Sequence, residues 1–162
     1  MSHNDTKISS RMIFAGFAAG ILVALVLPSA AEAQLQYFAV TPCRVADTRN
    51  PNGLNGGPVI DASTPDRDFQ IQGRCNVPVG AKAVSLNATI TSSGVSFYGG
   101  WFAFWPSGGT RPLVSTINFS DLDTALANGA IVPLSTNSSD LSSHFGGSGL
   151  VHLIIDVTGY YQ

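Results

Sequence analysis

Arg44, Asp47 and Arg49 lie within six residues of one another, and His152 and Asp156 share one apolar segment near the end of the chain. Arginine presents a rigid planar fork that matches a carboxylate or a sugar acid, so the first group has the means to read an anionic ligand. The plainer expectation is an internal ion pair, with Asp47 also accepting neighbouring N–H groups in a turn-prone segment. In a strand, His152 and Asp156 occupy the same face, which would suit an acid–base pair and, at its furthest, a glycan-directed hydrolase. No Gly-x-Ser-x-Gly nucleophile turn accompanies them. An acid in such a strand more commonly caps backbone groups or meets an arginine, and that is the expected role of Asp156.

The most distinctive run is Tyr98-Gly-Gly-Trp-Phe-Ala-Phe-Trp105. Strand alternation puts Trp101, Ala103 and Trp105 on one face and Phe102 and Phe104 on the other. One set can then fill a core while Tyr98, Trp101 and Trp105 form a flat platform for a sugar ring or a protein contact. The plainer expectation is a central strand with both faces buried. Asp121-Leu-Asp123 has the first two acids of a calcium loop but lacks the third ligand and the glycine, so a solvated loop is expected there. His144 and His152 have no ligand spacing to either cysteine, and no metal or cofactor is expected. The tripeptides at Asn87, Asn118 and Asn137 fit the glycosylation pattern but arise easily in a chain so rich in Asn, Ser and Thr.

The elements that must position these residues belong to an exported domain. Residues 1–33 read as a secretory signal peptide: a polar start with Lys7 and Arg11, an apolar run from Ile13 to Leu27, Pro28, and Ala31-Glu-Ala33 at the cleavage point. The run of 15 residues is short of the ~20 that span a bilayer, and no cysteine follows it to carry a lipid. Cleavage leaves one domain of 129 residues (162 − 33), with six basic and eight acidic groups and a net charge of −2. Export and an even cysteine count predict a disulfide between Cys43 and Cys75. Charged residues make up 11% of the chain, well under the roughly 25% usual for soluble domains. Scattered single arginines and so few charges exclude a coiled coil, a charged disordered tail and a nucleic-acid binder.

Period-2 alternation recurs between Gly, Pro, Asn and Ser clusters, most clearly over Ala83–Thr91 and Val151–Tyr160. Weaker strands are expected at 36–40, 68–72, 100–105, 114–119, 130–134 and 141–145, with one helical turn at Leu122–Ala127. The expected fold is therefore all-β, an antiparallel β-sandwich of seven to eight short strands stapled by one disulfide. Pro51–Pro58 and Gly146–Gly149 read as loops, neither followed by the helix or the Lys-Ser/Thr pair of a phosphate cradle. Nothing extends past the last strand, so no anchor or sorting signal is expected at that end.

Taken in order, Pro42-Cys-Arg-Val-Ala-Asp-Thr-Arg49, Gly56-Gly-Pro58, Cys75-Asn-Val-Pro78, Trp105-Pro-Ser-Gly108, Ser115-Thr-Ile-Asn118 and His152 to Tyr160 are similar to successive blocks of one family. The chain resembles a family of secreted bacterial β-domains marked by PCRxxDTR, CxxP, WPxG and HxxxDVxGY motifs. Asn76 departs from the glycine more usual after the second cysteine. The resemblance implies a module found alone or appended to surface proteins and cell-wall enzymes, with no assigned activity of its own. It makes Arg44, Asp47, Arg49, Asn118, His152 and Asp156 structural motif residues. The expected function is a secreted, non-catalytic surface or extracellular-matrix module. Its partners would be surface polysaccharide, other surface proteins or a copy of itself, with no nucleic acid and no membrane after cleavage. A carbohydrate-binding module built on Trp101 and Trp105 is the main alternative.

Overall fold

The computed structural model describes residues 34–162. The expected signal peptide, residues 1–33, lies outside them. Seven strands follow in order: β1 (Tyr37–Asp47), β2 (Ile60–Asp61), β3 (Asp66–Phe69), β4 (Ala83–Pro106), β5 (Ile117–Ser120), β6 (Ala125–Pro133) and β7 (Leu141–Tyr161). All pair antiparallel in a single sheet, and Cys43 is bonded to Cys75. The fold is thus all-β with one disulfide.

Two expectations about the elements need correction. The segments 83–91 and 100–105 are one strand of 24 residues, and 141–145 and 151–160 are one strand of 21, so the fold has two long strands where short ones were expected. Leu122–Ala127 contains no helical turn: it is a tight turn followed by the first residues of β6, which pair with Ile90 and Thr91. Cross-strand partners override the helical preference of Ala and Leu here.

A straight strand of 24 residues would reach about 80 Å, whereas a compact domain of this size has a radius of gyration of only about 14 Å. The β4–β7 ribbon must therefore bend. It does so where the register shifts, between Ser92 and Gly100 on β4 opposite Gly147–Val151 on β7. Gly149 marks the bend. It holds φ +79°, and a Cβ there would run into the Ser96 carbonyl.

On one side of the bend the ribbon is flanked by β1 and β6, and on the other by β3 and β5. The two halves share one core. Val84, Leu86, Ile90, Leu153 and Ile155 from the first half meet Phe102, Phe119, Leu141 and Phe145 from the second. The three phenylalanine rings stack with centroids 5.5 to 6.2 Å apart. The result is a sandwich whose halves are continuous through β4 and β7 and which closes towards a barrel.

Loop geometry depends on long-range polar bonds that composition alone does not reveal. The Arg67 guanidinium donates to the carbonyls of Gly53, Gly56, Gly57 and Pro58 and so gathers the glycine-rich loop around itself. Buried Asp140 accepts the N–H groups of Ile71 and Gln72, each at 2.8 Å, and burial raises its pKa above the ordinary carboxylate value.

Candidate functional site

The polar residues picked out in sequence meet where β1 lies against β7. Arg44 and Asp156 are register partners, and the guanidinium grips the carboxylate at 2.9 and 3.2 Å. Asp47 is buried and accepts three bonds from Arg49: the backbone N–H at 3.1 Å, Nε at 2.8 Å and Nη2 at 2.7 Å. Those bonds hold its carboxyl below the usual range, and Arg44 adds a fourth contact at 3.5 Å. The disulfide anchors the same strand, with Cα atoms 5.6 Å apart.

His152 and Asp156 lie on this surface but each has another partner. His152 Nδ1 stands 3.2 Å from the Thr48 hydroxyl, whose oxygen also accepts the Leu153 N–H at 2.9 Å. The hydroxyl thus links the imidazole to the backbone of β7. Burial lowers the His152 pKa, which favours the neutral ring. An acid–base pair between His152 and Asp156 is not assembled, since Asp156 is committed to Arg44.

The aromatic strand does not form a platform of two exposed tryptophans. Phe102 and Phe104 enter the core as alternation requires, but Trp105 is only 8% exposed, and its indole N–H donates to the Gly109 carbonyl at 3.1 Å. The turn following the strand closes over that ring. Tyr98 is 65% exposed. Trp101 remains half-buried, lying over Gly146, its register partner, where a Cβ would collide with the indole. That glycine was legible only as a loop residue. Its role is to let a large ring lie flat across the neighbouring strand.

Trp101 forms one wall of a groove of about 430 Å³ that Arg111, Leu113, Val114, Ser115 and Asn118 also line. Leu113 is fully exposed and Val114 is 56% exposed. Asn118 belongs to the rim, where its Oδ1 accepts the Ser115 hydroxyl at 2.9 Å. Behind the indole, His144 lies at 5.2 Å between ring centroids. Its Nδ1 is 2.7 Å from Asp66 Oδ1, and Arg111 Nη1 lies 2.7 and 2.6 Å from the two ring nitrogens. This chain fixes Arg111 at the groove. Arg111, Leu113 and Val114 were not read as site residues from sequence. An apolar Leu-Val pair inside a Pro/Ser segment was the available signal.

The two acids at 121 and 123 do not act as an open pair, because Asp123 accepts both the N–H and the hydroxyl of Ser120. Neither a family model nor a curated protein matches this chain.

Proposed function

We propose that this domain is a secreted, non-catalytic module of the cell surface or extracellular matrix that holds an extended polysaccharide in the groove beside Trp101. The observation that carries the reading is the division of labour on the surface. The acids and bases at β1 and β7 are taken up by one another, while an accessible indole lies open beside apolar Leu113 and Val114. A half-exposed indole stacks on the apolar face of a sugar ring, and Asn118, Ser115 and Arg111 are spaced around it to bond hydroxyls. Export is supported by the disulfide between Cys43 and Cys75. The motif resemblance points to the same class of surface module.

Trp101→Ala tests the reading directly, because the side chain lies at the surface and the core set is left intact. Binding of the folded variant to insoluble bacterial surface polysaccharide should weaken about tenfold, in keeping with the loss of one aromatic contact. Retained affinity would remove the groove from the account. Glycan cleavage that disappears in an Asp156→Asn variant would overturn the non-catalytic assignment.

A further inference from the structure

We infer that β6 is an interface between two copies of this chain, paired antiparallel about a two-fold axis at Gly129. The inference uses no part of the Trp101 groove and goes beyond the polymer-binding role proposed above.

Among the described residues β6 is the outer strand of its half of the sheet, and its ladder is with β4, while the Asn128 side-chain amide donates to the Thr116 carbonyl. The ladder runs unbroken for nine register pairs, from Ala83↔Pro133 to Thr91↔Ala125. Two bonds at its ends fix its phase: the Leu134 N–H reaches the Lys82 carbonyl, and the Ser92 N–H reaches the Thr124 carbonyl. Even-numbered residues of β6 therefore turn their N–H and C=O groups towards β4, and odd-numbered residues turn theirs outward. Ala125, Ala127, Gly129 and Ile131 are all exposed, and Ile131 is 61% exposed.

An exposed edge of this kind templates another strand unless it is blunted by charge, an internal proline, a bulge or shortness. β6 has none of these along its length: Ala-Leu-Ala-Asn-Gly-Ala-Ile-Val carries no charge, and its proline comes last. The other outer strands are guarded. β1 bulges twice and carries Pro42 and Arg44, while β3 and β5 are four residues each.

The outward residues favour a second copy as the occupant. An antiparallel pairing centred on Gly129 sets Ile131 beside Ala127 of the second copy, twice by symmetry, so each large side chain meets a small one. Gly129 meets its own symmetry mate on the axis, where side chains would crowd. With no charged residue in either strand, two identical edges approach without the like-charge repulsion that identical partners ordinarily bring.

The full chain with its disulfide intact should sediment as a concentration-dependent dimer. Amide exchange at Ala127, Gly129 and Ile131 should slow as concentration rises. Ile131→Lys and Ala127→Lys alter only exposed side chains, and each, acting twice per dimer, should weaken association about tenfold. A species that stays monomeric up to about 1 mM would overturn the inference. So would a dimer that neither variant weakens, or protection of the three amides that does not depend on concentration. Dimerisation unaffected by Trp101→Ala keeps this interface distinct from the groove.

Discussion

β1 and β6 are the two outer strands of the same half of the sheet, and they meet the same physical problem in opposite ways. β1 slips register between Ala39 and Cys43 and again between Arg44 and Ala46, and it is fastened by a disulfide, by Arg44 on Asp156 and by Asp47 beneath Arg49. β6 keeps perfect register with β4 and carries neither a charge nor a covalent tie along its length. A bulged, charged, stapled strand is a poor template for another chain, whereas a regular uncharged one is a good template. Stabilising devices concentrated on β1 make that edge serve the fold. Their absence from β6 leaves that edge open to a partner.

The largest expected effect comes from removing the staple. Replacing both Cys43 and Cys75 by serine opens a loop with a sequence separation of 32 residues and should lower unfolding stability by about 2 to 5 kcal/mol, read from urea denaturation. Amides of β1 should lose exchange protection first, with the β4–β6 ladder holding. Equal loss on both sides would erase the contrast, making the two edges one cooperative unit.

Asp47→Asn asks how much the ionic fastening adds. The buried carboxylate accepts three bonds from Arg49, and an amide can replace them only in part, so a loss of about 2 kcal/mol is expected. Because the folded pKa is depressed, this contribution is complete above the ordinary value of 3.8 and fades as pH falls through the lower folded value. The acid limb of the stability curve below about pH 4 should flatten in the variant. A variant as stable as the parent would mean that the register slips and the disulfide alone guard β1.

How much of this contrast was legible in the sequence depends on the length scale of each signal. Ala83–Thr91 and Val151–Tyr160 were readable because alternation there is unbroken and local. The join between Thr91 and Gly100 was not, because Ser and Gly in that stretch look like a loop and instead form a bend inside one strand. The polar cluster at Arg44, Asp47 and Arg49 was visible as a spacing, and its internal pairing was the expected one. Trp105 and Trp101 were assigned a common face, but nothing local to the strand reveals that the turn at Ser107–Gly109 covers one ring and Gly146 carries the other. The roles of Arg67 and Asp140 were not legible because their partners are backbone groups, which have no signature in side-chain types.

The smallest effect expected, and the one that separates the two edges most cleanly, is a pH dependence confined to the β1 side. His152 sits beneath that edge with its Nδ1 against Thr48, near Asp47 and Arg49. Burial lowers its pKa from the ordinary 6.5, and Arg49 pushes the same way, while Thr48 and Asp47 oppose. In the unfolded chain the ring takes a proton near pH 6.5, whereas in the fold it does so only at lower pH. The unfolded state therefore binds more protons between those two values, and stability is lost as pH falls through that window. His152→Asn, whose side-chain amide can bond Thr48 in place of Nδ1, has no proton to gain and should lose this part of the dependence. Comparing urea midpoints at pH 7.5 and 5.5 for parent and variant cancels the opposite trend of Asp140, whose raised pKa makes it gain stability on acidification in both proteins. β6 has no titratable group between Ala125 and Pro133, so self-association measured at the same two pH values should differ far less than the unfolding midpoints. An association that weakens in step with the unfolding midpoint would tie the β6 edge to the β1 network and dissolve the distinction between them.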